Sequence, residues 1–194
     1  MYRVKNALIL HGTSSNSQSN WFPWLKTELE KLDYQVWVPD LPGADRPNME
    51  RYLKFLLEEN EFDFNRESVV IGHSSGAVTI LGILQALPKD ATVDSCYLVG
   101  SFSHVLVEDP DWQVLKGLFT TPFDFEKIAQ QAQRLVFIHS QDDPYCPLEQ
   151  AEELARQTGG ELVVTAHDRH FSVGTGGPEY ARLPLLLELI TDQR

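Results

Sequence analysis

Gly72-His73-Ser74-Ser75-Gly76 holds a serine between two glycines, where the apolar run Val69-Val70-Ile71 gives way to small residues. A serine in the pattern G-x-S-x-G, at a sharp strand-to-helix turn, has its hydroxyl lifted clear of the sheet. The residues two before and two after crowd such a turn, and glycine relieves the crowding because it has no Cβ. A helix starting at the next residue aims unpaired N–H groups and the positive end of its dipole at the same point, which suits an oxyanion. Ser74 is therefore a candidate nucleophile. A plain Gly-rich turn, with Ser74 or Ser75 capping the helix, accounts for the same five residues without chemistry.

A serine hydroxyl needs a general base, and the base needs an acid to orient it. Six histidines compete for the role of base. His73 lies inside the turn and cannot reach back to its neighbour, while His104 and His139 lie nearer strand ends. His170, in His167-Asp168-Arg169-His170-Phe171, follows the final apolar run on a loop that can bend back over the sheet. It is the best base; His167, closer to the strand, suits loop packing. The acid is expected from Gln141-Asp142-Asp143-Pro144, and Asp143 is favoured because the following proline holds it extended. The alternative is that the two carboxylates merely begin a turn or cap a helix starting at Leu148. Zinc would need a third ligand near His167 and His170, so no metal or cofactor is expected.

An oxyanion hole needs two N–H donors. The residue after the nucleophile, Ser75, offers one, and Thr13 in Leu10-His11-Gly12-Thr13-Ser14-Ser15 is the candidate for the second, with Gly12 allowing close approach. That loop lacks the glycine spacing of a phosphate cradle.

These residues need a scaffold. Short apolar runs predict strands over 7–11, 35–38, 68–71, 95–99, 134–139 and 161–165. Between them, amphipathic stretches predict helices over 21–32, 49–60, 75–87, 125–133, 148–158 and about 178–190. Strands apolar on successive residues and alternating with helices imply about six mostly parallel strands in a doubly wound sheet, with helices on both faces. Sites in such sheets form at the carboxyl ends of the strands, where each candidate above falls. The order Ser74, Asp143, His170 is that of an α/β-hydrolase.

The 194 residues, 42% of them hydrophobic, suit a single domain over 1–194. A net charge of −12 argues against nucleic acid and anionic membranes as partners. Cys96 and Cys146 have neither metal nor disulfide spacing. The N-terminal apolar run is too short for a signal peptide core or a membrane span, so a cytoplasmic protein is expected. Residues 101–124 form a short lid-like insert whose aromatics, Phe102 and Trp112 among them, could line an acyl pocket or cover the sheet as core. Trp21 could rim the site or pack the first helix.

The sequence resembles the small serine hydrolases of the YdeN and retinoblastoma-binding protein 9 family, in the α/β-hydrolase superfamily. The likeness runs nearly end to end, through the HG loop with its WFPWLK continuation, the GHSSGA turn, FDFEKI, HSQDDPYCP and the final RHF. It implies a minimal α/β-hydrolase fold, with Ser74, Asp143 and His170 at the family's triad positions. One departure stands out: the family has glycine before the base, and here it is Arg169, which would be strained if that position needs φ > 0. No L-x-C-x-E segment occurs, so retinoblastoma binding does not carry over. The expected activity is cleavage of a carboxylic ester, thioester or small amide through an acyl-enzyme. The alternative is a binding or regulatory protein that kept the fold and lost turnover. A small-molecule acyl substrate and a monomer or small homo-oligomer are expected.

Overall fold

The computed structural model describes residues 4–59, 62–105 and 110–192. Six parallel strands form one sheet in the order β2-β1-β3-β4-β5-β6. They are β1 (Asn6–Leu10), β2 (Gln35–Trp37), β3 (Ser68–His73), β4 (Val93–Val99), β5 (Ala132–Ser140) and β6 (Glu161–Thr165). The helices are α1 (Phe22–Glu30), α2 (Met49–Leu53), α3 (Ser75–Ala86), α4 (Phe125–Gln130), α5 (Leu148–Thr158), α6 (Val173–Gly176) and α7 (Pro184–Thr191).

Every residue of β1 and β3 is buried, as strands covered on both sides must be. Alternate residues feed two cores. Leu8, Leu10, Val70, Leu98 and Phe137 pack with α2, α3, α4 and α5. Ala7, Ile9, Ile71, Val99 and Ile138 pack with α1 and α7. Each such aliphatic side chain contributes about 1.5–3 kcal/mol on burial. Helix α3 is buried from Ser75 through Leu84 and carries no charged residue, so its start is held in place from all sides.

The chain leaves β1 toward β2 on one side and returns to β3 on the other, so the strand order reverses at β1 and opens a crevice above its carboxyl end. The register sets Leu10 beside Gly72 and His73 beside Val99, bringing the loops after β1, β3 and β4 to one level.

Three helix expectations change. The segment expected over 49–60 is α-helical only to Leu53 and then widens to a π-turn over Lys54–Glu58; residues 60 and 61 lie outside the described residues. The helix expected over 178–190 is split. A 3-10 turn, Pro178–Ala181, stops at extended Arg182, and α7 starts at Pro184. Pro184 excludes helical backbone from the residue before it, and Leu183 has φ −139°. Helix α4 gives way at Gln130, because the chain joins β5 at Ala132.

Candidate active site

Ser74 stands between β3 and α3 with φ 56° and ψ −122°, outside the usual range for an L-residue. Such a conformation costs on the order of 1–3 kcal/mol and persists only where its surroundings enforce it. Here Ser74 N–H donates to Val99 O at 2.8 Å, and Ala77 N–H and Val78 N–H donate to Ser74 O at 2.9 and 3.2 Å. The flanking glycines are steric requirements. A Cβ on Gly72 would come within 2.6 Å of Gly76 and Ala77 backbone atoms, and one on Gly76 within 2.5 Å of Leu10 and His11 carbonyl oxygens. The Ser74 side chain does not cap α3. Ser75 Oγ instead accepts from Thr13 Oγ1–H at 2.9 Å, tying the loop after β1 to the first turn of α3. The N–H of Ser75 lies in that turn, where no intrahelical acceptor exists.

Asp143 and His170 meet from distant parts of the chain. His170 Nδ1–H donates to Asp143 Oδ2 at 2.7 Å. The other carboxylate oxygen accepts from Tyr145 N–H at 2.8 Å and Cys146 N–H at 3.0 Å. Burial pushes the Asp143 carboxyl upward, but the hydrogen bond and charge of His170 and the two amides outweigh it, and its pKa is lowered. Asp143 is thereby held as an anion beneath the imidazole.

Asp142, its neighbour, touches neither Ser74 nor His170. It accepts from Ser140 Oγ–H at 2.7 Å and Arg169 N–H at 2.8 Å, and lies 3.5 Å from Arg169 Nε. Its pKa is lowered, chiefly by Ser140. Asp142 therefore ties the acid turn to the base loop and offsets the Arg169 charge. Asp168 is occupied elsewhere, accepting from Tyr180 Oη–H at 2.6 Å.

Arg169 has φ 51°, the conformation a glycine would take most easily, and Phe171 on the other side of His170 has φ 50°. Two left-handed residues turn the imidazole back over the sheet. Phe171 N–H donates to Asp168 O at 2.9 Å, Trp21 Nε1–H to Phe171 O at 3.0 Å, and His73 Nε2–H to His170 O at 2.8 Å. Trp21 is fully buried and does not line the cavity, so its expected place at the rim is corrected. Its indole ring is large enough to bridge α1 and the base loop from below. His73 is neutral: burial, helped by His170, lowers its pKa to about 3.

Two other residues at the site, Gly100 and Tyr145, escaped the sequence reading. Gly100 ends β4 with φ 60°, and a Cβ there would come within 3.0 Å of His170 Cε1 and 3.1 Å of Nδ1. Its signal was a glycine directly after the apolar run over 95–99. Tyr145 sets its ring 5.2 Å from the His170 ring, edge to face, and is 57% exposed. It follows Asp143 by two residues, and that proximity was its signal. His139, fully buried, donates through Nε2–H to Cys146 O at 2.8 Å and braces the acid turn.

Ser74, His170 and Thr13 line a cavity of about 420 Å³ together with Phe102 and Trp112. Phe102 and Trp112 are nearly buried and meet edge to face at 5.0 Å, so they serve both as core and as cavity wall. Of the insert, residues 106–109 lie outside the described residues, and Pro110–Leu118 form 3-10 turns. A second hollow of about 430 Å³, lined by Asn6, Gln35 and Trp37, lies at the amino ends of β1 and β2, away from these groups. Ligand-type atoms of Asp143, Cys146 and His170 lie within 4.8 Å of one another. The trio does not suit a metal: Nδ1 is engaged with the carboxylate, and burial, reinforced by Asp143, keeps the Cys146 thiol protonated.

A parallel doubly wound sheet, a strained serine between β3 and α3, and a histidine–carboxylate pair over the same crevice define the α/β-hydrolase class. Residues 7–190 match the serine hydrolase family, and the chain belongs to it. It is 28% identical to YdeN of Bacillus subtilis (strain 168) over 188 residues, covering 97% of this chain and 95% of that protein. The crystal structure of the ydeN gene product superimposes with a TM-score of 0.85, covering 96% of this chain and 97% of that one. Serine hydrolase RBBP9 of Rattus norvegicus is 24% identical over 83% of each chain.

Proposed function

We propose that this serine hydrolase cleaves a carboxylic ester, thioester or small amide through an acyl-enzyme, with Ser74 as nucleophile, His170 as general base and Asp143 as the orienting acid. The observation that carries the reading is the 2.7 Å contact of His170 Nδ1 with the buried Asp143, on a cavity that Ser74 also lines.

With the Nδ1 proton directed at the carboxylate, Nε2 keeps its lone pair. Nε2 takes the Ser74 proton as Oγ bonds to the acyl carbon, and Asp143 stabilises the imidazolium. The carbonyl electrons move to oxygen, where the N–H groups of Ser75 and Thr13 receive the charge. Collapse expels the leaving group, which takes the proton from Nε2. Water then attacks the acyl-enzyme by the same steps in reverse and frees Ser74.

The acidic surface supports a small-molecule acyl substrate, without nucleic acid or membrane partners. Among the described residues, no helix is long and apolar enough to cross a membrane. We assign the protein to the cytoplasm as a monomer or small homo-oligomer of one domain.

The test is fluorophosphonate labelling combined with turnover of acyl esters of increasing chain length. Wild type should be labelled on Ser74 and turn over short esters, and Ser74→Ala should lose both while keeping its fold. Labelling that survives in Ser74→Ala, or that maps to Ser75, defeats the assignment. Labelling without turnover of any ester would favour the binding-protein alternative.

A further inference from the structure

The walls of the 420 Å³ cavity differ in chemistry from one side of Ser74 to the other. On the β4 side stand Phe102, Trp112, Val114 and Leu115. Val114 is 40% exposed, an apolar lip on that side of the opening. On the β1 side stand Thr13, Ser14, Ser15, Ser19 and Asn20, joined by Ser172 from the base loop. The two polar segments are locked together, since Asn20 Oδ1 accepts from Val173 N–H at 3.0 Å. Strand order explains the split: β3, which leads into the strand-to-helix elbow at Ser74, runs between β1 and β4, so each neighbouring loop furnishes one wall.

The polar wall is built for hydrogen bonding. Ser14 and Asn20 have φ of 54° and 50°, strained backbone at both ends of the loop that presents these groups. Ser14 lines the cavity and is exposed, so its hydroxyl is open to a bound alcohol. Among the described residues that line the cavity, none is lysine or arginine, so no cation is in place to receive a carboxylate or phosphate. Arg169 does not supply one, being paired with Asp142.

Which half takes which part of the substrate follows from proton transfer. His170 must protonate the leaving-group oxygen, so the leaving group lies along the base loop. Ser172 and Gly174 continue that loop and line the cavity next to the polar segment. The acyl group then falls against the aromatic wall.

We infer that the cavity takes a neutral ester that joins a compact apolar acyl group, held against Phe102, Trp112 and Leu115, to a hydroxyl-bearing alcohol, held by the Thr13-to-Asn20 loop and Ser172. The inference rests on the hydrolase reading above and specifies the substrate class of that site. It predicts that hydroxyls on the leaving group raise kcat/KM, and that a carboxylate there lowers it.

The experiment compares three butyrate esters with leaving groups of similar size: glycerol monobutyrate, propyl butyrate and the butyrate ester of 3-hydroxypropanoate. Released butyrate is measured for wild type and Ser14→Ala, with fluorophosphonate labelling of Ser74 followed in parallel. The glycerol ester should exceed the propyl ester about 2- to 10-fold, the range of one ordinary hydrogen bond, and exceed the carboxylate ester by more. Ser14→Ala should shrink the glycerol-over-propyl ratio. With Ser74 labelled, a propyl or carboxylate preference, a ratio unmoved by Ser14→Ala, or no turnover of any of the three overturns this inference and leaves the hydrolase reading standing. Loss of Ser74 labelling in wild type overturns both.

Discussion

At the elbow, Ser74 holds φ 56° between a strand and a helix; on the base loop, Arg169 and Phe171 hold φ 51° and 50° with no regular element directly beside them. The two regions enforce a positive φ by different means. The elbow relies on missing side chains, glycines that let β1, β3 and α3 approach to backbone contact. The base loop relies on added side chains: Asp142, Trp21 and His73 each bond to its backbone. Missing atoms cannot be replaced by another residue type, whereas a bond to the backbone can be lost singly. The elbow should therefore be brittle and the base loop tolerant.

Gly76→Ala is the harshest test of that contrast. Helix propensity alone favours alanine by about 1 kcal/mol. A Cβ 2.5 Å from two carbonyl oxygens should instead cost about 3 kcal/mol or more, read as a lower urea midpoint or insoluble protein. A variant as stable as wild type would show that the close packing at the elbow is wrong.

The adjacent carboxylates separate chemistry from loop support. Asp143→Asn should lower kcat about 10²- to 10⁴-fold with the fold retained, because the imidazolium loses its counter-charge. Asp142→Asn keeps an acceptor for Ser140 and Arg169 N–H, and should cost less than about tenfold. Steady-state kinetics of both variants decide the ranking, and a reversed order would move the acid role to Asp142.

Acid should loosen the supports before the elbow. His11, His73 and His139 are buried and their pKa values are lowered, in each case first by burial. A histidine depressed in the folded state binds its proton more readily when unfolded. Its contribution is fully present above the unfolded value near 6.5 and is lost as pH falls toward the folded value, about 3 for His73. Urea unfolding from pH 7 to 4.5 should show stability falling, with a limiting slope of about 1.4 kcal/mol per pH unit for each such histidine. His139→Gln should reduce that slope by up to one histidine's share. A flat profile would mean that these imidazoles are charged in the folded protein.

Arg169→Gly should have the smallest effect. It relieves left-handed strain, gives up an exposed ion pair worth about 0–1 kcal/mol, and adds freedom to the unfolded chain. The net change should stay within about 1 kcal/mol in urea, with the pH–rate profile unmoved because Asp142 already offsets the charge. A displaced acidic limb would show that the Arg169 charge reaches His170.

Much of this was legible in the residues themselves. The strand cores over 68–71 and 134–139 are apolar on successive positions, as a strand covered on both faces requires, and both are buried strands. The elbow could be read because its demand is local: a serine at positive φ needs glycines two residues away on either side, and these lie within five consecutive positions. Pro184 marks a helix start just as locally, yet the apolar pattern over 178–190 concealed the break. Asp143 and His170 were read from their places after apolar runs, from Pro144 and from the family resemblance, without distance or geometry. What tertiary structure decided is everything that depends on residues far apart: Gly100 making room for the imidazole, His73 turning inward to hold the base loop, Asp142 serving Arg169 while Asp143 serves His170, and Trp21 bonding beneath the loop instead of facing substrate. Sequence spacing carries local sterics and burial period. A hydrogen bond between residues 21 and 171 leaves no mark on either neighbourhood, because its geometry exists only once the sheet has brought the two loops together.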